Sequence, residues 1–248
     1  MIRKTKRLSF ERIFLKNLSK TGLTSNRTVL YYSQRHKRKP VMHFIFVTRT
    51  YKPNSNIGLI KNCLRGMFMD SENTYLHIIV ADLSHGYMIP LFKQYQDRNT
   101  RVCLVGGREE KDIQDTIGID KAVNNPIASM TYKPEDCYVY ILDDDNLPHP
   151  CFLNVVNYIN GDEDAIVFKI AGRPELGNSS IMNERNSIGY IDWANFITRL
   201  PVMRKLGVYD KDGTRCEDGI FFQKLKDNHL SVRFTEEVLG FYNRIPRI

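Results

Sequence analysis

The chain has 248 residues, enough for one large α/β domain with a substantial core. It has no apolar run as long as the roughly eighteen residues of a membrane span, and its N-terminus lacks the features of a secretory signal. Its five cysteines are odd in number and scattered, and none forms a CxxC pair, which argues against a disulfide framework or a zinc site. These features predict a protein of a reducing compartment, with a cytoplasmic location as the default.

The net charge of +8 is unevenly distributed along the chain. Residues 1–40 hold twelve Lys and Arg and a single acidic residue, a net charge of +11, whereas residues 41–248 hold 24 basic and 27 acidic residues, a net charge of −3. The basicity therefore belongs to a tail, and the predicted domain at 41–248 is mildly acidic. No nucleic-acid reader motif accompanies the tail, so nucleic-acid binding is not expected.

An amphipathic pattern lies within residues 1–20. Four apolar residues, Phe10, Ile13, Phe14 and Leu18, fall at helical spacing among basic residues. Such a helix suits an anionic membrane surface and would place the protein peripherally at the inner face of a membrane. The same pattern fits a helix that packs its apolar stripe on its own domain or on a partner, and both interpretations stay open.

From residue 41 onward, apolar β-branched runs alternate with apolar residues at helical spacing. The predicted strands are 41–47, 76–81, 101–105, 138–142, 165–170, 232–234 and 238–242. The predicted helices are 57–69, 87–96, 122–130 and 217–226, and an apolar helical pattern also covers 152–159. This order predicts an α/β fold with a mostly parallel, Rossmann-like sheet covered by helices on both faces.

The most informative segment is the buried strand before Asn146, which ends in the consecutive carboxylates Asp143, Asp144 and Asp145. Three adjacent negative charges repel one another, and a divalent cation that also binds substrate phosphates would offset them. The alternative is a solvated acidic turn. A strand tip followed by a new apolar segment lies at the carboxyl end of a sheet, where open α/β sheets bind ligands.

A second acidic pair, Glu217 and Asp218, stands at the start of a predicted helix. Carboxylates at this position commonly complement the helix dipole. Near an acidic strand tip, one of them could instead act as a general base.

Several strings in this order resemble those of GT-A-fold inverting glycosyltransferases. The overall layout resembles glycosyltransferase family 2, and local strings are similar to the β-1,3-glucuronyltransferase family. The matching strings are VTRTYK at 47–52 (against VTPTY), LHIIVAD at 76–82, IDKAVNN at 119–125 (against GKAxARN of family 2), LDDDN at 142–146, IDWANF at 191–196 (against VDMAGF) and VLGFYNR at 238–244 (against VLVWHTR). The resemblance runs from about residue 42 to 244, and it implies a nucleotide-sugar-binding half at 41–146 and an acceptor-binding half at 147–248.

The resemblance implies a Mn²⁺ or Mg²⁺ site in which Asp145 binds the metal. Strand alternation favours Asp143 as its companion, because residues two apart share a face, and leaves Asp144 to the nucleotide. The family pattern places the general base at Asp218, with its neighbour Glu217 as the second candidate.

The resemblance assigns nucleotide binding to Thr48, Thr50, Tyr51, Asp82 and Asn124. Asn124 and its neighbour stand where the glucuronyltransferases carry an arginine, which puts glucuronic acid in doubt as the donor sugar.

The acceptor side involves Asp192, at the position of an acceptor-binding carboxylate, and Trp193, either as a sugar-stacking face or as a core residue. Tyr242 replaces a family histidine near the metal and diphosphate, and Arg244 is expected to pair with the leaving phosphate.

These features together predict a metal-dependent inverting transferase that moves a sugar from a UDP-sugar to a glycan or a lipid-linked acceptor. One alternative is a sugar nucleotidyltransferase, although residues 48–51 lack the glycine-rich phosphate loop that such enzymes usually carry. The other is a non-catalytic module that binds glycans or anionic surfaces through the tail.

Overall fold

The computed structural model describes residues 41–50, 55–82, 89–105, 119, 121–124, 132–172, 191–208 and 217–242. All of them belong to one compact unit, Val41–Ile248. The amphipathic helix predicted within residues 1–20 lies outside the described residues and stays a prediction. No helix in the described part of the chain has the length and hydropathy needed to span a bilayer.

Eight strands and four α-helices have defined bounds. The strands are β1 (His43–Thr50), β2 (Thr74–Asp82), β3 (Thr100–Val105), β4 (Cys137–Asp143), β5 (Leu147–Pro148), β6 (Ala165–Ala171), β7 (Phe196–Arg199) and β8 (Val232–Phe241). The helices are α1 (Ser55–Met67), α2 (Ile89–Lys93), α3 (Leu200–Leu206) and α4 (Glu217–Asp227). Short 3₁₀ segments occupy Pro134–Asp136, Phe152–Tyr158 and Trp193–Asn195, and residues 121–124 are helical.

The eight strands form one sheet in the order β3-β2-β1-β4-β7-β6-β8-β5. Strands β3, β2, β1 and β4 are parallel, β7 is antiparallel to β4 and β6, and β6 is parallel to β8. The mostly parallel α/β sheet expected from the sequence is confirmed. Because β2 lies on one side of β1 and β4 on the other, the strand order changes direction at β1, which is where such sheets bind ligands.

The sheet is covered on both faces, as predicted. On one face, Ile45 and Val47 of β1 pack in a core to which α3 and α4 contribute residues such as Met203 and Phe222. The alternate β1 residues Phe44 and Phe46 join the opposite core with residues of α1. Alternation along β1 thus decides which core each side chain enters, and it continues into the polar residues at the strand's carboxyl end.

The predicted elements differ from the structure at several places. Strand β1 extends to Thr50 instead of ending at residue 47, and the two strands predicted near the C-terminus form the single strand β8, whose pairing with β6 is irregular in the middle. The apolar pattern after Pro150 forms a 3₁₀ segment instead of an α-helix: the amide of Phe152 donates to the carbonyl of His149 (2.8 Å), a three-residue spacing.

Candidate active site at the carboxyl ends of β1 and β4

Strands β1 and β4 end side by side, and this places the acidic run next to the last residues of β1. The parallel register pairs Arg49 with Asp143. Strand β4 ends at Asp143, and the amide of Asn146 donates to the carbonyl of Asp143 (3.0 Å) to close a turn. The carboxylates of the acidic run therefore lie at the strand end and in the turn that follows it.

An arginine binds the first carboxylate of the run. Nε of Arg49 donates to Oδ1 of Asp143 at 2.7 Å, and Nη2 lies 2.5 Å from the same oxygen. Both side chains are largely shielded from water, with 16% and 26% of their surfaces exposed. Because Arg49 offsets the negative charge of Asp143, a metal ion would compete with the guanidinium for this carboxylate.

The second carboxylate is held from the other face of β1. The hydroxyl of Thr50 donates to Oδ2 of Asp144 (2.8 Å), and Thr50 itself is buried. The structure therefore joins two predicted nucleotide-binding residues, Thr50 and Asp144, across the ends of β1 and β4.

Asp145 lies in the turn and is 3% exposed. The strand alternation that favoured Asp143 as its metal-binding companion does not extend to Asp145, because regular strand geometry ends at Asp143. The metal-binding roles of Asp143 and Asp145 stay predictions.

The carboxylate groups of the acidic tip suit a hard divalent ion as its ligands. Carboxylate oxygens are the ligands that Mg²⁺ and Mn²⁺ prefer, and one or two of them together with substrate phosphates are sufficient. Among the described residues, no three His, Cys, Asp or Glu side chains converge to hold an ion. A metal here would therefore take one or two ligands from the acidic run, Asp145 first, with the remaining ligands from a bound diphosphate.

Asp192 is fixed in place by a capping box at the start of the 3₁₀ segment Trp193–Asn195. Its Oδ1 accepts from the amide of Ala194 (2.8 Å), and its own amide donates to Oδ1 of Asn195 (3.1 Å). The buried hydroxyl of Tyr140 donates to the carbonyl of Ala194 (2.9 Å) and ties this turn to β4.

The charge environment of Asp192 connects it to the acidic tip and to α4. The pKa of Asp192 is raised to about 7, first by burial and then by the carboxylates of Asp143 and Asp218, while the Ala194 amide and Arg49 oppose the rise. The fold therefore brings three carboxylates that are distant in sequence into one electrostatic cluster, with Arg49 as its cation.

Asp218 lies in the first turn of α4, and its Oδ1 accepts from the amide of Gly219 (2.7 Å). This bond fits the helix-dipole interpretation, since the carboxylate caps a free amide near the helix start. The general-base interpretation requires an acceptor hydroxyl within hydrogen-bond reach of Asp218, and this role stays a prediction. Glu217 begins the helix, and its side chain lies outside the described residues.

Two predicted binding residues point into the protein. Trp193 is 4% exposed and packs between Phe196 and Phe221, with ring centroids at 5.4 and 5.2 Å, which favours the core interpretation over stacking on a sugar. Thr48 is fully buried, and its hydroxyl lies 2.9 Å from Nε2 of His77, whose pKa is lowered to about 3, first by burial and then by Lys61.

The structure describes the remaining predicted site residues only in part. Asn124 is exposed at the end of the helical residues 121–124, and Tyr242 is half-buried, with its amide donating to the carbonyl of Ala171 (2.9 Å). Asp82 ends β2 at the same edge of the sheet, but its side chain lies outside the described residues, as do Tyr51 and Arg244 altogether. Their roles stay predictions.

Sequence reasoning did not assign a role to Arg49 or to Tyr140. Arg49 stands where the similar string VTPTY has a proline, and this difference was the feature of the sequence that could have indicated a role for Arg49. Its significance depends on the register that sets it opposite Asp143, 94 residues away. No local pattern marks Tyr140 as the support of a turn that begins more than fifty residues later.

No family model and no curated protein sequence matches this chain. Among solved structures, residues 1–349 of TarS from S. aureus are similar with a TM-score of 0.58 and 15% identity, covering 81% of this chain and 60% of that chain. The mannosyltransferase PcManGT from Pyrobaculum calidifontis, solved in complex with GDP-Man and Mn²⁺, is similar with a TM-score of 0.53 and 15% identity, covering 87% of this chain and 64% of that one. A 4-diphosphocytidyl-2C-methyl-D-erythritol synthase is similar with a TM-score of 0.50 and 10% identity, covering 84% of this chain and 93% of that chain.

This chain thus spans less than two thirds of TarS 1–349 and of PcManGT. At these identities the similarity concerns the fold. The fold is an α/β fold of the GT-A, Rossmann-like type, as predicted.

Proposed function

We propose that this protein is a metal-dependent inverting glycosyltransferase that uses a UDP-sugar as donor and a hydroxyl of a glycan or lipid-linked saccharide as acceptor. The observation that supports this proposal best is the acidic run that β4 places at the end of β1, together with the electrostatic influence of Asp143 and Asp218 on Asp192. The GT-A-like fold, shared with a mannosyltransferase solved with GDP-Man and Mn²⁺, agrees with it.

The donor would bind over the ends of β1 and β4. Asp144, oriented by Thr50, would accept hydrogen bonds from the nucleoside, and Asp145 would hold a Mn²⁺ or Mg²⁺ ion. A bound divalent ion stabilises the negative charge of a diphosphate leaving group as a Lewis acid. Arg49 limits the repulsion between this diphosphate and the acidic run, because it already offsets Asp143.

Asp218 would take the proton from the acceptor hydroxyl, and Asp192 would hold that hydroxyl in line with it. A general base must lie within hydrogen-bond reach of the proton that it removes, and rigid neighbours improve that alignment. The capping box and the Tyr140 hydroxyl give Asp192 this rigidity. In this proposal residues 41–146 serve the donor and residues 147–248 serve the acceptor.

Calorimetric titration of UDP into the protein, with and without Mn²⁺, tests the donor site. The matched variants are Asp145→Asn at the tip and Asp162→Asn, an exposed residue between β5 and β6. We expect binding that requires Mn²⁺, is lost in Asp145→Asn and is unchanged in Asp162→Asn. If UDP fails to bind in the presence of the metal, the UDP-sugar proposal is wrong.

A sugar nucleotidyltransferase is the second candidate, favoured by the similarity that covers 93% of the 4-diphosphocytidyl-2C-methyl-D-erythritol synthase chain. This activity would join a nucleoside triphosphate to a sugar phosphate to form a nucleotide-sugar, with pyrophosphate leaving from the triphosphate. The Thr48-Arg49-Thr50 strand end has no glycine to let backbone amides approach a triphosphate closely, so we expect no pyrophosphate release.

The basic tail would add a second binding function. We expect residues 1–20 to concentrate the enzyme at an anionic membrane surface near a lipid-linked acceptor. If the protein is instead only a binding module, its glycan or lipid binding would be salt-sensitive, show no turnover and survive Asp145→Asn.

A further inference from the structure

A second cavity lies at the opposite end of the parallel strands. It has a volume of about 740 Å³ and is lined by residues at or near the amino ends of β1, β2 and β3, among them His43, Tyr75 and Arg101. Strand β1 separates it from the acidic tip by seven residue steps, roughly 23 Å at a strand rise of 3.3 Å per residue. The cavity is therefore distinct from the candidate active site.

The charged residues that line the cavity are all basic. Arg98 and Arg101 lie in its described lining, and no acidic residue does. Nη1 of Arg101 donates to the backbone carbonyls of Asp97 and Thr100, which fixes the guanidinium without offsetting its charge. Asp97, which precedes Arg98 in the chain, is paired with Lys61, whose Nζ lies 2.8 Å from its Oδ2. The charge of the cavity lining itself favours an anion.

One wall of the cavity is formed by Tyr132, which stacks face to face on the buried ring of His43. The rings of His43 and Tyr132 are 3.9 Å apart and inclined by 13°. Burial lowers the pKa of His43 to about 4, so at neutral pH this wall is uncharged. An uncharged aromatic face suits the apolar face of a sugar or another flat ring.

Polar side chains hold the rest of the wall in place. Nδ1 of His43 lies 2.9 Å from the hydroxyl of Thr74, and the side-chain carbonyl of Asn73 accepts from the amide of Met42 (2.9 Å). Small-molecule sites combine aromatic walls with a few fixed polar groups of this kind, which orient the ligand.

We propose that this cavity is a binding site for a sugar that carries a phosphate or carboxylate group. The anionic group binds Arg98 and Arg101, and the sugar ring packs on Tyr132. The site is independent of the proposed transfer activity, because it shares no described residue with the acidic tip.

Ligand-observed NMR and calorimetry on the full chain test this site with glucose 6-phosphate, glucuronate, glucose and inorganic phosphate as probes. We expect glucose 6-phosphate or glucuronate to bind more tightly than glucose and phosphate, and the better of the two shows whether phosphate or carboxylate is preferred. Binding weakens roughly tenfold in Arg98→Gln and further in Arg98→Gln/Arg101→Gln, since each guanidinium supplies a charge-assisted hydrogen bond.

Three controls make the outcome decisive. Lys93→Gln removes an exposed charge of α2 outside the cavity lining and should leave binding unchanged, and Tyr132→Ala should weaken the sugar ligands more than inorganic phosphate. Asp145→Asn should leave binding of the anionic sugars intact even where it removes UDP binding.

Failure of both anionic sugars to bind, or binding that is insensitive to Arg98→Gln, would overturn the proposal whether or not UDP binds. Arg98 is exposed, so its variant should fold even if the Arg101 variant does not.

Discussion

Arg49 binds Asp143 across two neighbouring parallel strands, and its Nε and Nη2 both contact the same carboxylate oxygen. This pair supplies the cation of a cluster that also contains the Asp192 and Asp218 carboxylates. The acidic strand tip is therefore partly neutralised before any ligand arrives. Its remaining carboxylates, Asp144 and Asp145, are the ones that face a donor and its metal in our proposal.

Replacing Arg49 should make Asp192 harder to ionise. In Arg49→Met the guanidinium no longer favours the charged carboxylate, so the pKa of Asp192 should rise above its value of about 7. Carboxyl carbon NMR titration of the wild type and the variant measures this shift directly. Arg101→Met, at the other end of the sheet, is the matched control and should not shift it.

The same pair should contribute to stability as a unit. Arg49→Met alone leaves a partly buried Asp143 without its cation and should lower the free energy of unfolding by about 2 kcal/mol. The double variant Arg49→Met/Asp143→Asn should lose less than the sum of the single losses. Additive losses in urea unfolding experiments would show that the two side chains do not interact in solution.

The stability of the fold should depend on pH through Asp192. Its folded pKa of about 7 lies above the value near 4 of an unfolded aspartate, so the folded state holds a proton that the unfolded state has released. This contribution to stability is complete below about pH 4, falls as the pH rises, at no more than roughly 1.4 kcal/mol per pH unit, and is gone above the folded pKa.

Unfolding of the wild type and Asp192→Asn between pH 4 and 8 isolates this contribution. Asparagine keeps the N-cap hydrogen bond but does not titrate. We expect the wild type to lose more stability than the variant as the pH rises from 4 to 7. Parallel pH curves for the two proteins would mean that Asp192 ionises normally and that its neighbours are farther away than the structure indicates.

Tyr140 and Gly240 should act together to hold the Asp192 turn. A Cβ atom at Gly240 would lie 2.6 Å from the Tyr140 hydroxyl and 3.0 Å from Cγ2 of Ile170, so Gly240→Ala must displace the hydroxyl that bonds Ala194. Both Tyr140→Phe and Gly240→Ala should destabilise the protein, the first by about 1 kcal/mol for the lost hydrogen bond.

The double variant distinguishes this contact from a general loss of packing. Phenylalanine lacks the oxygen that meets the new methyl group, so Tyr140→Phe/Gly240→Ala should be more stable than the two separate losses predict. If the double variant loses the full sum of the two single losses in free energy of unfolding, the added methyl group at Gly240 clashes with another neighbour, for example Ile170.

Much of the architecture could be predicted from the sequence because it depends on local pattern. Alternating strand and helix signals gave the parallel half of the sheet, and the abrupt end of an apolar run in three carboxylates located the candidate site. Strand β7 was not predicted, since its four residues are held between β4 and β6, partners that a local pattern cannot reveal.

Side-chain orientation was the harder part. The first strand was predicted to end at residue 47, but Thr48, Arg49 and Thr50 continue β1, where His77, Asp143 and Asp144 are their side-chain partners. These partners lie 29 to 94 residues away, so only the strand register shows that Thr48 points inward while Thr50 meets the acidic tip. For the same reason the core packing of Trp193 could not be decided in advance.

The final prediction separates the roles of the two carboxylates on the acceptor side. If Asp218 is the general base, Asp218→Asn should lower kcat by roughly 10²- to 10⁴-fold, while the protein still binds UDP and stays folded. Asp192→Asn retains the capping hydrogen bond and can still bind a hydroxyl, so it should mainly raise KM for the acceptor. Steady-state kinetics with saturating donor measures both effects. The reverse pattern, a large loss of kcat in Asp192→Asn together with loss of a pH dependence near 7, would move the base to Asp192, because a base is most effective when its pKa lies near the working pH.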